Sequence, residues 1–102
     1  MTSDSSYVEA RESLRAELAD EWNDGTFCLD DRVIVQNDDL FVFKVGPREL
    51  LVDGDLRYAR FGGAVPAVHK RDGRLMWIPE VRLLEMAPSL RTQRNPTPTL
   101  DV

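Results

Sequence analysis

The chain has 102 residues, 42% of them hydrophobic and 30% charged, with 13 Lys+Arg against 18 Asp+Glu and a formal charge of −5. That length suits one domain, and the composition is that of a packed protein, not a disordered one. One cysteine, Cys28, and one histidine, His69, exclude an internal disulfide, a Cys-based zinc site and a multi-His metal centre.

The N-terminal residues 1–5 read as a loose end without a basic segment and apolar stretch, so no signal peptide is visible. No apolar run approaches a membrane span. The expected location is cytoplasmic. From Ser6 to about Asn23 the pattern predicts a helix. Ser6 and Glu9 form a capping-box pair, and Tyr7, Ala10, Leu14, Leu18 and Trp22 recur at helical spacing. Asn23-Asp24-Gly25 supplies the stop.

The period then changes to that of strands. Arg32–Gln36 and Leu40–Val45, joined by Asn37-Asp38-Asp39, predict an antiparallel hairpin. Ile34, Phe41, Phe43 and Val45 line one face, and Val33, Val35, Leu40 and Val42 the other. The sheet should therefore be covered by the helix on one side and partly covered on the other. Glu49–Val52 reads as a short strand or turn, Asp53-Gly54-Asp55 as a turn, and Leu56–Phe61 as ambiguous. Gly62-Gly63 permits a tight bend.

Val65–Lys70 and Arg74–Ile78 flank Asp72-Gly73, which suits a two-residue type I′ turn. That turn sets Val68 opposite Trp77 and His69 opposite Met76. Pro66 suits an edge or strand-start position. Pro79-Glu80 opens a short helix to about Met86. Residues 87–102, with three prolines and no periodicity, read as a flexible tail. The expected domain is 6–86.

Catalytic patterns are sparse. His69 alternates with Val68 and Lys70 and has no companion nucleophile in the sequence pattern, so it reads as structural or exposed. Cys28, in the link between helix and hairpin, reads as an inert thiol. Asp30-Asp31, Asp38-Asp39 and Asp53-Gly54-Asp55 lack the spacing of a calcium loop and read as turn and solubility residues. No catalytic residue, metal ligand or cofactor is assigned. Trp22 and Trp77 read as core anchors. Lys70-Arg71-Asp72-Gly73-Arg74 makes a basic hairpin tip, with Arg57 and Arg60 before it and Arg82, Arg91 and Arg94 after. The tip suits either an acidic partner or protection of a sheet edge.

Residues 1–55 carry a net −9 and residues 56–102 a net +4. This polarity suits a charged protein partner, while a pI near 4.8 argues against nucleic acid. The candidate contact residues are Glu12, Glu17, Asp20, Asp38 and Asp39 on the acidic side and Arg71 and Arg74 on the basic side.

The stretch Leu40–Ile78 resembles the YrhB-type immunity-protein family. Leu40-Phe41-Val42-Phe43 matches its aromatic strand, and Gly54-Asp55, Tyr58-Ala59, Gly62 and Asp72-Gly73 follow in the family's order. Pro66 stands one position from the family's proline, and the Asp24–Asp31 link lacks its Pro-rich segment. The resemblance implies a small α+β domain, with an N-terminal helix on a curved antiparallel sheet of about four strands. It also implies an immunity or chaperone-like protein acting on one partner, a toxin or an enzyme, without an active site. Other expectations are an accessory or adaptor protein that reads its partner through the tail, and a small-ligand binder or enzyme using the sheet face. A homodimer through an exposed strand edge is compatible with any of these.

Overall fold

The computed structural model describes residues 6–59 and 63–100. Residues 1–5, expected to be a loose end, and Arg60, Phe61 and Gly62, from the ambiguous Leu56–Phe61 stretch and the expected Gly62-Gly63 bend, lie outside them. The elements run α1 (Tyr7–Ala19), β1 (Phe27–Gln36), β2 (Leu40–Pro47), α2 (Arg48–Leu51), a 3-10 turn at Leu56–Tyr58, β3 (Ala64–His69), β4 (Leu75–Pro79), α3 (Glu80–Met86), a 3-10 turn at Ala87–Ser89, and β5 (Arg91–Arg94). The fold is α+β. Its antiparallel sheet has five strands in the order β4-β3-β2-β1-β5, not four.

The capping box forms as its residues predict. Ser6 Oγ accepts from Glu9 N–H at 3.1 Å, and Glu9 Oε1 accepts from Ser6 N–H at 3.1 Å. These bonds satisfy amide donors that a helix start otherwise leaves open. α1 stops four residues before Asn23. Trp22 lies beyond it, half-buried, with its ring 5.3 Å from Phe27 and its indole N–H on Asp24 C=O at 2.8 Å. Gly25 then takes φ +69°, where a Cβ would come within 2.9 Å of both Glu49 and Tyr58. Its absent side chain lets Glu49 reach the Thr26 amide at 3.0 Å.

Each face of the sheet has its own core, as the two-sided hairpin predicts. On one, Ala10 and Leu14 of α1 pack with Leu29, Phe41, Phe43 and Val68. Tyr7 stacks on Phe43 at 5.3 Å and meets Phe41 edge-on at 5.5 Å. On the other, Leu40, Val42, Ala67 and Ile78 are covered by Leu83 and Met86 of α3 and by Leu90.

Several local expectations are corrected. β1 begins at Phe27, so Cys28 belongs to a strand and not to a link. Residues 48–51 form a helix and not a strand or turn. Val68 faces Leu75 and Pro66 faces Trp77, a register two residues from the expected one. Among the described non-glycine residues only Leu100 has positive φ, so Asp72 does not supply the left-handed geometry of a type I′ turn. Lys70–Gly73 make a four-residue loop instead, closed by Gly73 N–H on His69 C=O at 2.9 Å, with Gly73 alone at φ +72°. A shift of two preserves which face each side chain takes, so the cores survive it.

β3 is internal, so Pro66 is not on an edge. It marks where the β2–β3 ladder stops, since Val42↔Ala67 is the last pair and proline has no N–H to offer β2. The tail is also corrected. Residues 91–94 pair with β1 as the fifth strand, and the chain beyond is tied down through Asn95, Thr99 and Leu100.

That tie is built on a bulge. Between Asp30↔Lys44 and Val35↔Val42, β1 advances five residues while β2 advances two. Asp31 stands where the bulge begins, on the same side of β1 as the core residue Leu29, and is fully buried. Asp31 Oδ1 accepts from the amides of Thr99 at 2.9 Å and Leu100 at 2.7 Å. Its Oδ2 accepts from Thr99 Oγ1 at 2.8 Å and from Arg11 of α1 at 2.9 Å. Burial alone pushes the Asp31 carboxyl up. The Thr99 and Leu100 amides, with Arg11, outweigh burial and hold it below the ordinary value. Asp31 is thus a structural keystone and not a turn residue. Burial and this neighbouring carboxylate push the Tyr7 hydroxyl up to about 12.

Candidate binding surface

α3 and the turn after it carry the chain from β4 at one border of the sheet to β5 at the other. The crossing covers only the middle of that face, and a groove opens on each side of it.

The upper groove, about 740 Å³, is floored by Val35, Val42 and Val65 and walled by Leu83 and Leu90. It exists because the β2–β3 ladder stops at Pro66, so the two strands no longer share hydrogen bonds there. At its rim, Arg32 pairs with Asp30 at 2.7 Å, and the Arg32 side chain holds the Asp30 carboxyl below its usual range. Lys44 sits opposite Asp30 in the strand register and is exposed.

The apolar surface continues outside the groove. Val81 and Leu84 of α3 are 68% and 75% exposed, and Val33, in the groove's own lining, is 50% exposed. At about 100° per residue, a helix with Leu83 and Met86 facing inward must turn Val81 and Leu84 outward, on the flank opposite Arg82. Seven residues bearing Val81, Leu83, Leu84 and Met86 hold more apolar side chains than one buried stripe uses. That surplus was visible in the sequence as Glu80–Met86, and sequence reasoning missed it by taking the segment only as a short helix.

The lower groove, about 580 Å³, lies between α3 and the hairpin ends. Leu40, Met76, Ile78 and Met86 give it an apolar floor. Asp38, Asp39 and Arg71 stand on its rim, with His69 and Arg82. Three of the candidate contact residues are therefore brought to one place. Asp38 is also paired with Arg91 at 3.1 Å. Arg74 is exposed just beyond the loop.

Glu12, Glu17 and Asp20 are not brought there. Glu12 and Glu17 belong to α1 and Asp20 immediately follows it, and α1 packs on the opposite face of the sheet. Glu12 is engaged locally by Arg11 at 3.0 Å and Arg15 at 3.3 Å. The acidic residues thus form two separate surfaces. Trp77 is corrected from core anchor to a side chain 47% exposed on β4.

Cys28 and His69 do not meet. Their partners on β2, Gly46 and Leu40, are six residues apart, about 20 Å along a strand. Cys28 is buried, with its thiol 3.5 Å from Leu100 C=O. Among the described residues, no three His, Cys, Asp or Glu side chains cluster as metal ligands would. No helix among them is long and apolar enough to cross a membrane.

No protein-family model, curated protein or solved structure was found to match this chain.

Proposed function

We propose that this is a non-enzymatic, cytoplasmic protein-binding module of the immunity or chaperone-like kind, which masks or stabilises one protein partner through its α3 face. The observation that carries the reading is the exposed pair Val81 and Leu84 beside the apolar upper groove. An apolar surface continuous with a groove and rimmed by charge is how protein contact sites are built. Burying it against a partner yields about 25 cal/mol per Å² of apolar area, before the costs of association.

The rim chemistry specifies the partner further. Asp30 is neutralised by Arg32, so Lys44 leaves the upper rim with a net positive charge. The fitting partner presents apolar side chains to Val33, Val81 and Leu84 and a carboxylate to Lys44. Asp38, Asp39 and Arg71 at the lower rim set orientation and selectivity more than affinity. The resemblance of Leu40–Ile78 to YrhB-type immunity proteins supports the same class of function.

The test is quantitative affinity capture from the native host, with the V81D/L84D double variant as its control. The expected result is one stoichiometric partner held by the wild-type chain and lost at least tenfold by the variant. Both baits should keep the same circular dichroism spectrum. Equal capture by the two baits would contradict the assignment of this face.

A further inference from the structure

β4 borders the sheet, and the direction of its backbone groups can be read from both ends. Arg74 C=O accepts from His69 N–H at 2.9 Å, and Glu80 N–H donates to Gly63 C=O at 3.1 Å. These even-numbered positions face inward, and strand alternation places Met76 and Ile78 with them. Leu75, Trp77 and Pro79 therefore direct their backbone groups at the open border. Trp77, in the middle of that border, is also 47% exposed.

The two borders of the sheet differ in what self-pairing would do. β5 is Arg91-Thr92-Gln93-Arg94, so antiparallel pairing with a copy of itself brings four arginines together and no carboxylate from either strand. That arrangement is repulsive. β4 has Arg74 just before it and Glu80 just after it, both exposed. Antiparallel pairing with a copy of β4 sets Arg74 against Glu80.

We propose that the β4 border is a self-association site, at which a second copy of this chain adds its own β4 antiparallel about a twofold axis at Trp77. This inference stands apart from the α3-face reading, because it uses a different border and a different partner. The register follows from two independent requirements. Hydrogen-bonded pairs must join outward-facing positions, which sets odd numbers opposite odd numbers. Charge complementarity then selects Trp77 opposite Trp77, Leu75 opposite Pro79 and Arg74 opposite Glu80.

In this register the Trp77 amide and carbonyl bond reciprocally, and each Leu75 N–H reaches a Pro79 C=O. The proline, which has no N–H, ends the ladder on both sides. Arg74 and Glu80 share one face of the strand, so each ion pair forms on the same side of the joined sheet. So short a ladder makes a dimer that responds to concentration, not a permanent one.

Sedimentation velocity on the full chain over a concentration series tests this. The expected result is a shift from monomer to dimer as concentration rises. R74E alone and E80R alone should each shift the association constant at least tenfold toward monomer. An equimolar mixture of the two should form a heterodimer, because each reversed charge then meets its opposite. That rescue separates self-pairing from misfolding. Three results would overturn the proposal: a monomer at every concentration, a dimer indifferent to either reversal, or a mixture that stays monomeric. A wild-type monomer that binds an added extended peptide at Trp77 would assign the border to another chain instead.

Discussion

Asp31 concentrates more of the fold's polar structure than any other residue described above. Both its oxygens accept hydrogen bonds, so an isosteric amide cannot replace it. Either orientation of an Asn side chain turns an NH2 group against the donors of Thr99, Leu100 or Arg11. Breaking a buried charge pair by removing one member costs about 3–5 kcal/mol, so D31N should lower unfolding stability by that amount. T99A removes one hydroxyl donor to a charged acceptor and should cost about 1.5–3 kcal/mol. Urea titrations of the two variants against wild type measure both, and equal stability of D31N and wild type would contradict the keystone role. The pH dependence has a defined sign. Asp30 and Asp31 both have folded values below the ordinary 3.8. Their contribution is complete above that value and is lost as pH falls through the lowered folded values. Stability should decline on acidification below about pH 4, and D31N should flatten that decline. None of this was legible in the sequence. Asp30-Asp31 looks like any other acidic pair, and only contacts distant in sequence decide that Asp31 is buried against Arg11 and Thr99 while Asp30 lies beneath Arg32 on the other face.

At the scale of elements, legibility followed how local the determining interactions are. α1 was readable because its cap and its stripe lie within a few residues of one another. α3 was readable from Pro79 onward for the same reason. The β3–β4 hairpin was readable as a pair but not in register, because Asp-Gly permits more than one loop. The ladder, closed by His69 N–H on Arg74 C=O, selected the longer one. The fifth strand was illegible. Arg91–Arg94 is wholly exposed and shows no apolar alternation, so its pairing with Val33–Gln36 rests on backbone bonds that leave no compositional trace. The segment after it behaves as a strap held by Asn95, whose side chain donates to Asp31 C=O at 2.8 Å. The Thr99 and Leu100 amides are therefore expected to exchange slowly with solvent deuterons by NMR, on the timescale of the sheet. Exchange as fast as that of a free tail would contradict the strap. Deleting residues 88–102 removes a strand and uncovers Asp31, so it reports on stability and cannot serve as a clean test of tail-mediated recognition.

For the whole molecule, the sequence polarity of −9 against +4 does not become a simple spatial dipole. The strand order interleaves the halves, with β1 and β2 of the acidic part between β3 and β5 of the basic part. Some of the polarity is consumed internally, as in Arg91–Asp38. The remaining acids divide between the outer side of α1 and the rim of the lower groove. Charge alone therefore does not define the contact surface, and the central claim rests on the partly covered α3 face. Hydrogen–deuterium exchange of the chain, free and bound to its captured partner, tests that claim most directly. The account predicts protection over residues 30–35 and 80–86, with α1 unchanged. Protection confined to α1, with 80–86 exchanging as in the free chain, would contradict it.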